Sequence, residues 1–193
     1  MKDRPKYKQI IDAAVEVIAE NGYHNSQVSK IAKKANVADG TIYLYFKNKE
    51  DILISVFNEK MGHFIEKTVQ AINEKESASE KLLTLIEMYY KQLSESPYVA
   101  IVTQLELRQS KQELRKEINK VLKSYLDVID SIIYQGIEEK EIRDDINPRL
   151  IRQMIFGTLD ETVTTWVMKS QRYSLLDQAK DVHNLLMNGL LRP

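Results

Sequence analysis

Asp39, Gly40, Thr41, Tyr43, Tyr45, Lys47 and Lys49 place hydroxyls, one bare stretch of backbone and two cations within eleven residues. Groups of this kind hold phosphate oxygens, because hydroxyls and amines donate to them and a glycine lets the backbone approach closely. Just upstream, Ser26, Gln27, Ser29 and Lys30 are candidates for the same chemistry. Ala32, Val37 and Ile42 stand five residues apart. A small residue in one helix, an apolar residue after the turn and an apolar residue in the next helix suit two helices crossing steeply. The second helix then enters the major groove of DNA with its first residues facing base edges. Lys49 and the start of the following helix form an expected phosphate clamp, since helix N-termini attract anions. The plain alternative is that Tyr43, Tyr45 and Phe46 are core aromatics. It is accepted for Phe46 and partly for Tyr45, whereas Thr41 and Tyr43 are assigned to DNA.

The elements that position these residues read almost entirely as helix. Apolar spacing predicts a first helix from Pro5 to Asn21, with Ile11, Ala14, Val15 and Ile18 inward and Gly22 ending it. Ser26 is the expected cap of a short second helix carrying Val28, Ile31, Ala32 and Ala35. A turn at Asn36-Val37 leads to a third helix from Asp39 to about Phe46, and Asn48 caps a long fourth helix. Further helices are expected over 78–95, from Pro97, over 112–140, from Pro148 to about Lys169, and over 174–191. The fold class is all-α: an N-terminal three-helix helix-turn-helix unit followed by a helical body, about nine helices in total.

Composition agrees with a folded, soluble chain. Hydrophobic residues are 43% and charged residues 29% of 193. No apolar run approaches the roughly 18 residues of a membrane span. The N-terminal residues lack the apolar core of a signal peptide. There is no cysteine, so disulfides and thiolate metal sites are excluded, and a cytoplasmic address is the simplest expectation. Net charge is zero, but residues 1–49 hold nine Lys and Arg against five Asp and Glu, so a basic head is set on an acidic body.

The stretch from Ser26 to Leu53 resembles the TetR-type repressor signature. The resemblance is carried by Gly40-Thr41-Ile42-Tyr43-Leu44-Tyr45-Phe46, then Lys49-Glu50 and the apolar pair Ile52-Leu53. It implies that the third helix reads the groove while Tyr43, Tyr45 and Lys49 lie against the DNA backbone. Two positions depart from the family pattern. Asn36 stands where glycine is usual, which the turn tolerates, because asparagine also adopts left-handed geometry. Ala38 stands where serine usually caps, so the cap is weaker or comes from Asp39, and a phosphate contact is lost. The resemblance divides the chain into a DNA-binding domain at 1–49 and a ligand-binding and dimerisation domain at 50–193. It also implies a homodimer through the last two helices. Such a dimer sets two recognition helices about 34 Å apart on a palindromic operator.

The body is similar to the FadR-type regulators of fatty-acid degradation within that family, which answer to long-chain acyl-CoA. The residues that carry this are Ala100–Gln109 and Gln153–Trp166. The resemblance implies a repressor released from DNA by acyl-CoA, with no bound cofactor. Candidate residues for an acyl tunnel are Met61, Phe64, Leu85, Met88, Tyr89, Leu105, Tyr125, Ile129, Ile155, Phe156, Gly157 and Trp166. Arg108, Gln109, Arg115, Arg152 and Asp160 are candidates for its polar mouth, because guanidinium groups pair with phosphates in a fork. For each of them an ordinary core or surface role stands as the alternative.

Asp160-Glu161 recommends a rival reading, an efflux regulator induced by hydrophobic cations, in which Trp166, tyrosines and these carboxylates form an aromatic, acidic box. An enzyme is disfavoured: there is no Gly-Xaa-Ser-Xaa-Gly elbow, no phosphate loop and no nucleophile beside the carboxylate pair. His24, His63 and His183 have no metal-ligand spacing, so no metal is expected. A ligand-free, purely structural DNA-binding dimer is the remaining alternative.

Overall fold

Capping chemistry sets several of the helix boundaries. The computed structural model describes residues 4–190, and these contain nine α-helices, one 3₁₀ turn and no strand. Helix α1 (Arg4–Asn21) stops at Gly22, whose φ of 73° is the left-handed conformation that glycine adopts without steric penalty. Helix α2 (Val28–Lys34) is followed by Asn36 at φ 49°, so asparagine makes the turn before α3 (Asp39–Tyr45). Asn48 caps α4 (Lys49–Ile72) by accepting the Asp51 N–H at 2.9 Å, and Asp51 accepts the Lys47 N–H at 2.8 Å. Ser77 and Glu80 form a reciprocal capping box at the start of α5 (Ala78–Glu95). Helices α6 (Pro97–Glu106) and α7 (Gln112–Glu138) follow. Asn147 caps α8 (Pro148–Met168), which carries Pro148 in its first turn. The 3₁₀ turn Leu176–Gln178 leads into α9 (Ala179–Leu190).

Two expectations are corrected. Ser26 does not cap α2; Gln27 holds that position without a side-chain bond. Ser26 is fully buried, and its hydroxyl donates to the Val17 and Gly22 carbonyls, the open end of α1. The last helix begins at Ala179, not near residue 174, because Leu175 is buried in a turn whose hydrogen bonds are of the i→i+3 kind.

The residues fall into two compact units. The first contains the residues up to Gly62 together with Tyr98–Val121. Its core is built from Ile10, Ile11, Ala14 and Ile18 of α1, Ile31 and Ala32 of α2, Ile42 of α3, then Phe46, Leu53 and Phe57, all essentially without exposure. Each such large side chain contributes about 1.5–3 kcal/mol by leaving water. The second unit contains His63–Pro97 and the residues from Leu122 onward, and there α5, α8 and α9 pack on one another. Gly136 of α7 sits in this unit where a Cβ would lie 2.7 Å from Ile142 and 3.0 Å from Ala78. Helices α4 and α7 each contribute residues to both units.

Candidate functional site

In the first unit, one helix is built to be read from outside. Ile42 is the buried residue of α3. Asp39, Gly40, Tyr43 and Leu44 face solvent, and Thr41 and Tyr45 are half-buried. Gly40 has no atom within 4 Å of where a Cβ would stand, so nothing inside the protein requires glycine there. Its cost of about 1 kcal/mol in a helix is explained if another surface must approach the backbone closely. Ala38 precedes the helix with no side-chain cap, so its first amides are available to an external acceptor. Gln27, Ser29 and Lys30 on or beside α2, and Lys47 after α3, are exposed. Lys30 donates to Asn21 at 3.3 Å. Tyr45 belongs to a ring cluster with Tyr7 and Phe46, in which Tyr7 and Phe46 stack at 5.3 Å.

Sequence reasoning missed Leu44, which is 77% exposed on α3. Its signal lay in the spacing, since Ile42 and Phe46 take the inward positions and leave 43 and 44 outward. A leucine there offers the kind of apolar contact that meets a thymine methyl.

Two candidates for phosphate contact are placed otherwise than expected. Ser26 is sealed inside, with its hydroxyl already donated. Lys49 turns inward, donating to the His24 carbonyl at 2.9 Å with its ammonium 4.6 Å above the Tyr23 ring. Desolvation there lowers its pKa, and Glu106 pushes it back up. The start of α4 carries Glu50 and Asp51 in its first turn, so it is no bare anion site.

Around Lys49 runs a polar junction that no local pattern announces. The Tyr23 N–H, at the α1–α2 turn, donates to Glu106 Oε1 at 2.8 Å across 83 residues of sequence. Glu106 Oε2 accepts from Gln109 Nε2 at 2.6 Å. Arg115 donates to the Gln109 carbonyl at 2.8 Å, and Lys111 pairs with Glu50 at 2.8 Å. Gln109 and Arg115, expected at a ligand mouth, thus hold the α6–α7 loop of the first unit. Met61, Leu105 and Arg108 belong to this unit as well, and Leu105 is exposed.

The second unit gathers the other ligand candidates. Phe64, Tyr89 and Tyr125 have ring centroids 5.5–5.7 Å apart, and Phe156 lies 6.4 Å from Tyr125. Leu85, Ile129 and Ile155 are completely buried, while Met88 is half-buried. The polar atoms nearby are mostly committed. Tyr90 shares a 2.7 Å hydrogen bond with Thr162, and the Trp166 N–H donates to the Tyr173 carbonyl at 2.9 Å. Arg152 pairs with Asp130 at 2.7 Å. Asp160 is buried whereas Glu161 is exposed and accepts from Thr165, so the two carboxylates do not share an environment. Gly157 is corrected as a pocket residue: it lies exposed on the outward stripe of α8 with Leu150, Met154 and Met168, opposite buried Ile151, Ile155 and Leu159. Among the described residues no group of three His, Cys, Asp or Glu could hold a metal, and no helix is long and apolar enough to cross a membrane.

Residues 10–56 match the family model described as bacterial regulatory proteins of the tetR family, and residues 57–189 match the YsiA-like protein C-terminal region. The chain is 62% identical over 187 residues to the fatty acid metabolism regulator protein of Bacillus subtilis (strain 168), covering 97% of this chain and 96% of that one. The fold superposes with a TM-score of 0.92 on the crystal structure of the transcriptional regulator FadR from Bacillus subtilis in complex with stearoyl-CoA. That pair is 61% identical, over 95% of this chain and 99% of the other. The fatty acid degradation regulator FadR from Bacillus halodurans gives a TM-score of 0.91 at 58% identity, over 95% and 99%. Nine helices among the described residues, an outward-facing third helix and these matches together place the sequence: the chain belongs to the TetR family of bacterial regulatory proteins.

Proposed function

We propose that the chain is a homodimeric, cytoplasmic repressor of fatty-acid degradation genes, released from a palindromic operator when long-chain acyl-CoA binds. The observation that carries this reading is the near full-length likeness to a regulator crystallised with stearoyl-CoA. The DNA-binding domain is residues 1–49, and residues 50–193 bind the effector and dimerise. Operator contact falls to the outward residues of α3, namely Asp39, Gly40, Thr41, Tyr43 and Leu44, with Lys47 and the α2 residues Ser29 and Lys30 on phosphates. The acyl chain belongs in the second unit, among Phe64, Leu85, Tyr89, Tyr125, Ile129 and Ile155. The exposed stripe of α8 and Leu185 of α9, itself 74% exposed, form the dimer seam.

The effector acts by favouring a protein state that holds the two recognition helices off register. Helix α4 leads directly from the cap that follows α3 into the effector unit, so a tilt of α4 moves the head. Linkage requires that DNA weaken effector binding by the factor by which effector weakens DNA binding. The efflux-regulator reading loses its support, since Asp160 is buried and Glu161 exposed, so the two carboxylates do not form one acidic box.

The test is binding to an operator selected from random duplexes, at fixed salt, with and without stearoyl-CoA. Salt is fixed because phosphate contacts make the affinity fall steeply with it. Release by stearoyl-CoA, with none by stearate or a quaternary amine, is the expected result. Undiminished affinity for both ligands bound together would sink the proposal.

A further inference from the structure

Tyr125 stands in the middle of α7 with no exposed surface, enclosed by the rings of Phe64, Tyr89 and Phe156. Its hydroxyl has no hydrogen-bond partner among the described residues. Neighbouring polar aromatics solve the same problem within the chain, Tyr90 through Thr162 and Trp166 through a backbone carbonyl. An unpaired buried hydroxyl costs about 1–3 kcal/mol, and phenylalanine would fill the same space without that cost. A tyrosine here is explained by an acceptor that the described residues themselves do not supply.

We propose that the Tyr125 hydroxyl is the donor for a neutral carbonyl carried into this ring cluster by the effector, and that this carbonyl is the thioester C=O of long-chain acyl-CoA. The inference rests on the acyl-CoA reading above and adds to it a specific polar contact.

The surroundings restrict the acceptor. Burial holds the phenol in its protonated form, with Tyr89 and Tyr90 adding to the effect, so the group donates and carries no charge. A carboxylate in this aromatic setting would lose several kcal/mol of hydration that one neutral phenol does not restore. A hydrocarbon or a quaternary amine offers no acceptor at all. A thioester joins an apolar chain to a small neutral carbonyl, which is what a single donor among rings can use. Phe64 and Phe156 are the half-buried rings of the cluster, so they are the ones that turn to admit a ligand. Two consequences follow. The site prefers the thioester over the free acid of the same length, and it fixes the depth of the chain, because the carbonyl is pinned at Tyr125.

The experiment uses the full chain and two ligands: stearoyl-CoA and S-octadecyl-CoA, the thioether in which CH₂ replaces C=O. Both are titrated into the wild type and into Tyr125→Phe. The wild type should bind the thioester about tenfold more tightly than the thioether, the fold-change of one hydrogen bond. Tyr125→Phe should bind the two alike, at the wild type's thioether level. Ligand-free Tyr125→Phe should unfold at a higher temperature than the wild type, a gain that a hydroxyl bonded within the protein would not give. A thioester preference retained in Tyr125→Phe, or absent from the wild type, overturns the proposal. So does a variant that melts no higher than the wild type. Failure of the wild type to bind stearoyl-CoA at all would overturn the acyl-CoA reading as well, which separates the two.

Discussion

Replacing Glu106 with alanine removes a carboxylate that ties the end of α6 to the turn between α1 and α2. The Tyr23 amide, on a buried residue, loses its 2.8 Å acceptor, and Gln109 loses its 2.6 Å acceptor. A hydrogen bond to a charged group contributes roughly 1.5–3 kcal/mol. Glu106 is half-buried, so solvent screening puts the loss at the low end, about 1.5 kcal/mol. For a chain of this size each kcal/mol moves the melting temperature by about 2–4 °C, which gives a fall of about 3–6 °C. Glu106→Gln keeps an acceptor for the Tyr23 amide but not the charge, so it should fall about half as far. Thermal unfolding by circular dichroism, at one protein concentration because association makes melting depend on it, reads the effect. Operator affinity measured on the same samples should weaken, since the turn that Glu106 holds leads into α2 and α3. A Glu106→Ala protein that melts within about 1 °C of wild type and grips its operator equally well would refute the reasoning.

Gly40→Ala should stabilise the fold by up to about 1 kcal/mol, because the position is helical and open, yet weaken operator binding by crowding the approach. Opposite signs in a melting curve and a DNA titration are the expected outcome; unchanged DNA affinity would remove Gly40 from the interface. Gly136→Ala should destabilise by about 1–3 kcal/mol despite the better helix propensity, since its methyl would press on Ile142 with Ala78 behind; denaturant titration measures it. Burial, with Glu50 and Glu106 nearby, raises the Tyr23 pKa from 10.0 to about 12. The unfolded tyrosine ionises first, so the stability that Tyr23 contributes is complete below pH 10 and is lost as pH rises to about 12. Melting temperatures across that range should fall, and a flat profile would contradict the shift.

The head was legible because its information is local. The residues that end and restart its helices are neighbours in sequence, and Ala32, Val37 and Ile42 announce the crossing in their spacing. Other features had no local signature. Ser26 precedes a helix as a capping residue should, but the nearer acceptors for its hydroxyl are carbonyls of the helix before. Leu175 and Leu176 continue the apolar spacing of α9, and one turn of spacing does not separate a 3₁₀ turn from an α-helix. Gly157 follows Phe156 in a stretch rich in buried residues, and only the rotation of α8 turns it outward. The arginines expected at a ligand mouth are long enough to serve a loop or an ion pair, and Arg115 and Arg152 do so. The bond from Tyr23 to Glu106 spans 83 residues and is visible only in three dimensions.

The first unit closes with a segment from the middle of the chain. Tyr98–Val121 is synthesised up to about 60 residues after Gly62, and at 5–20 residues per second that is a delay of roughly 3–12 s. For most of that interval the nascent head has its helix-turn-helix but not Glu106, Gln109 or Lys111, so the Tyr23 amide and the Glu50 carboxylate must rely on water. The helix-turn-helix therefore leaves the ribosome before the segment that completes its unit and reaches its final structure late, and a copy truncated within α5 would carry a recognition helix on an unfinished base.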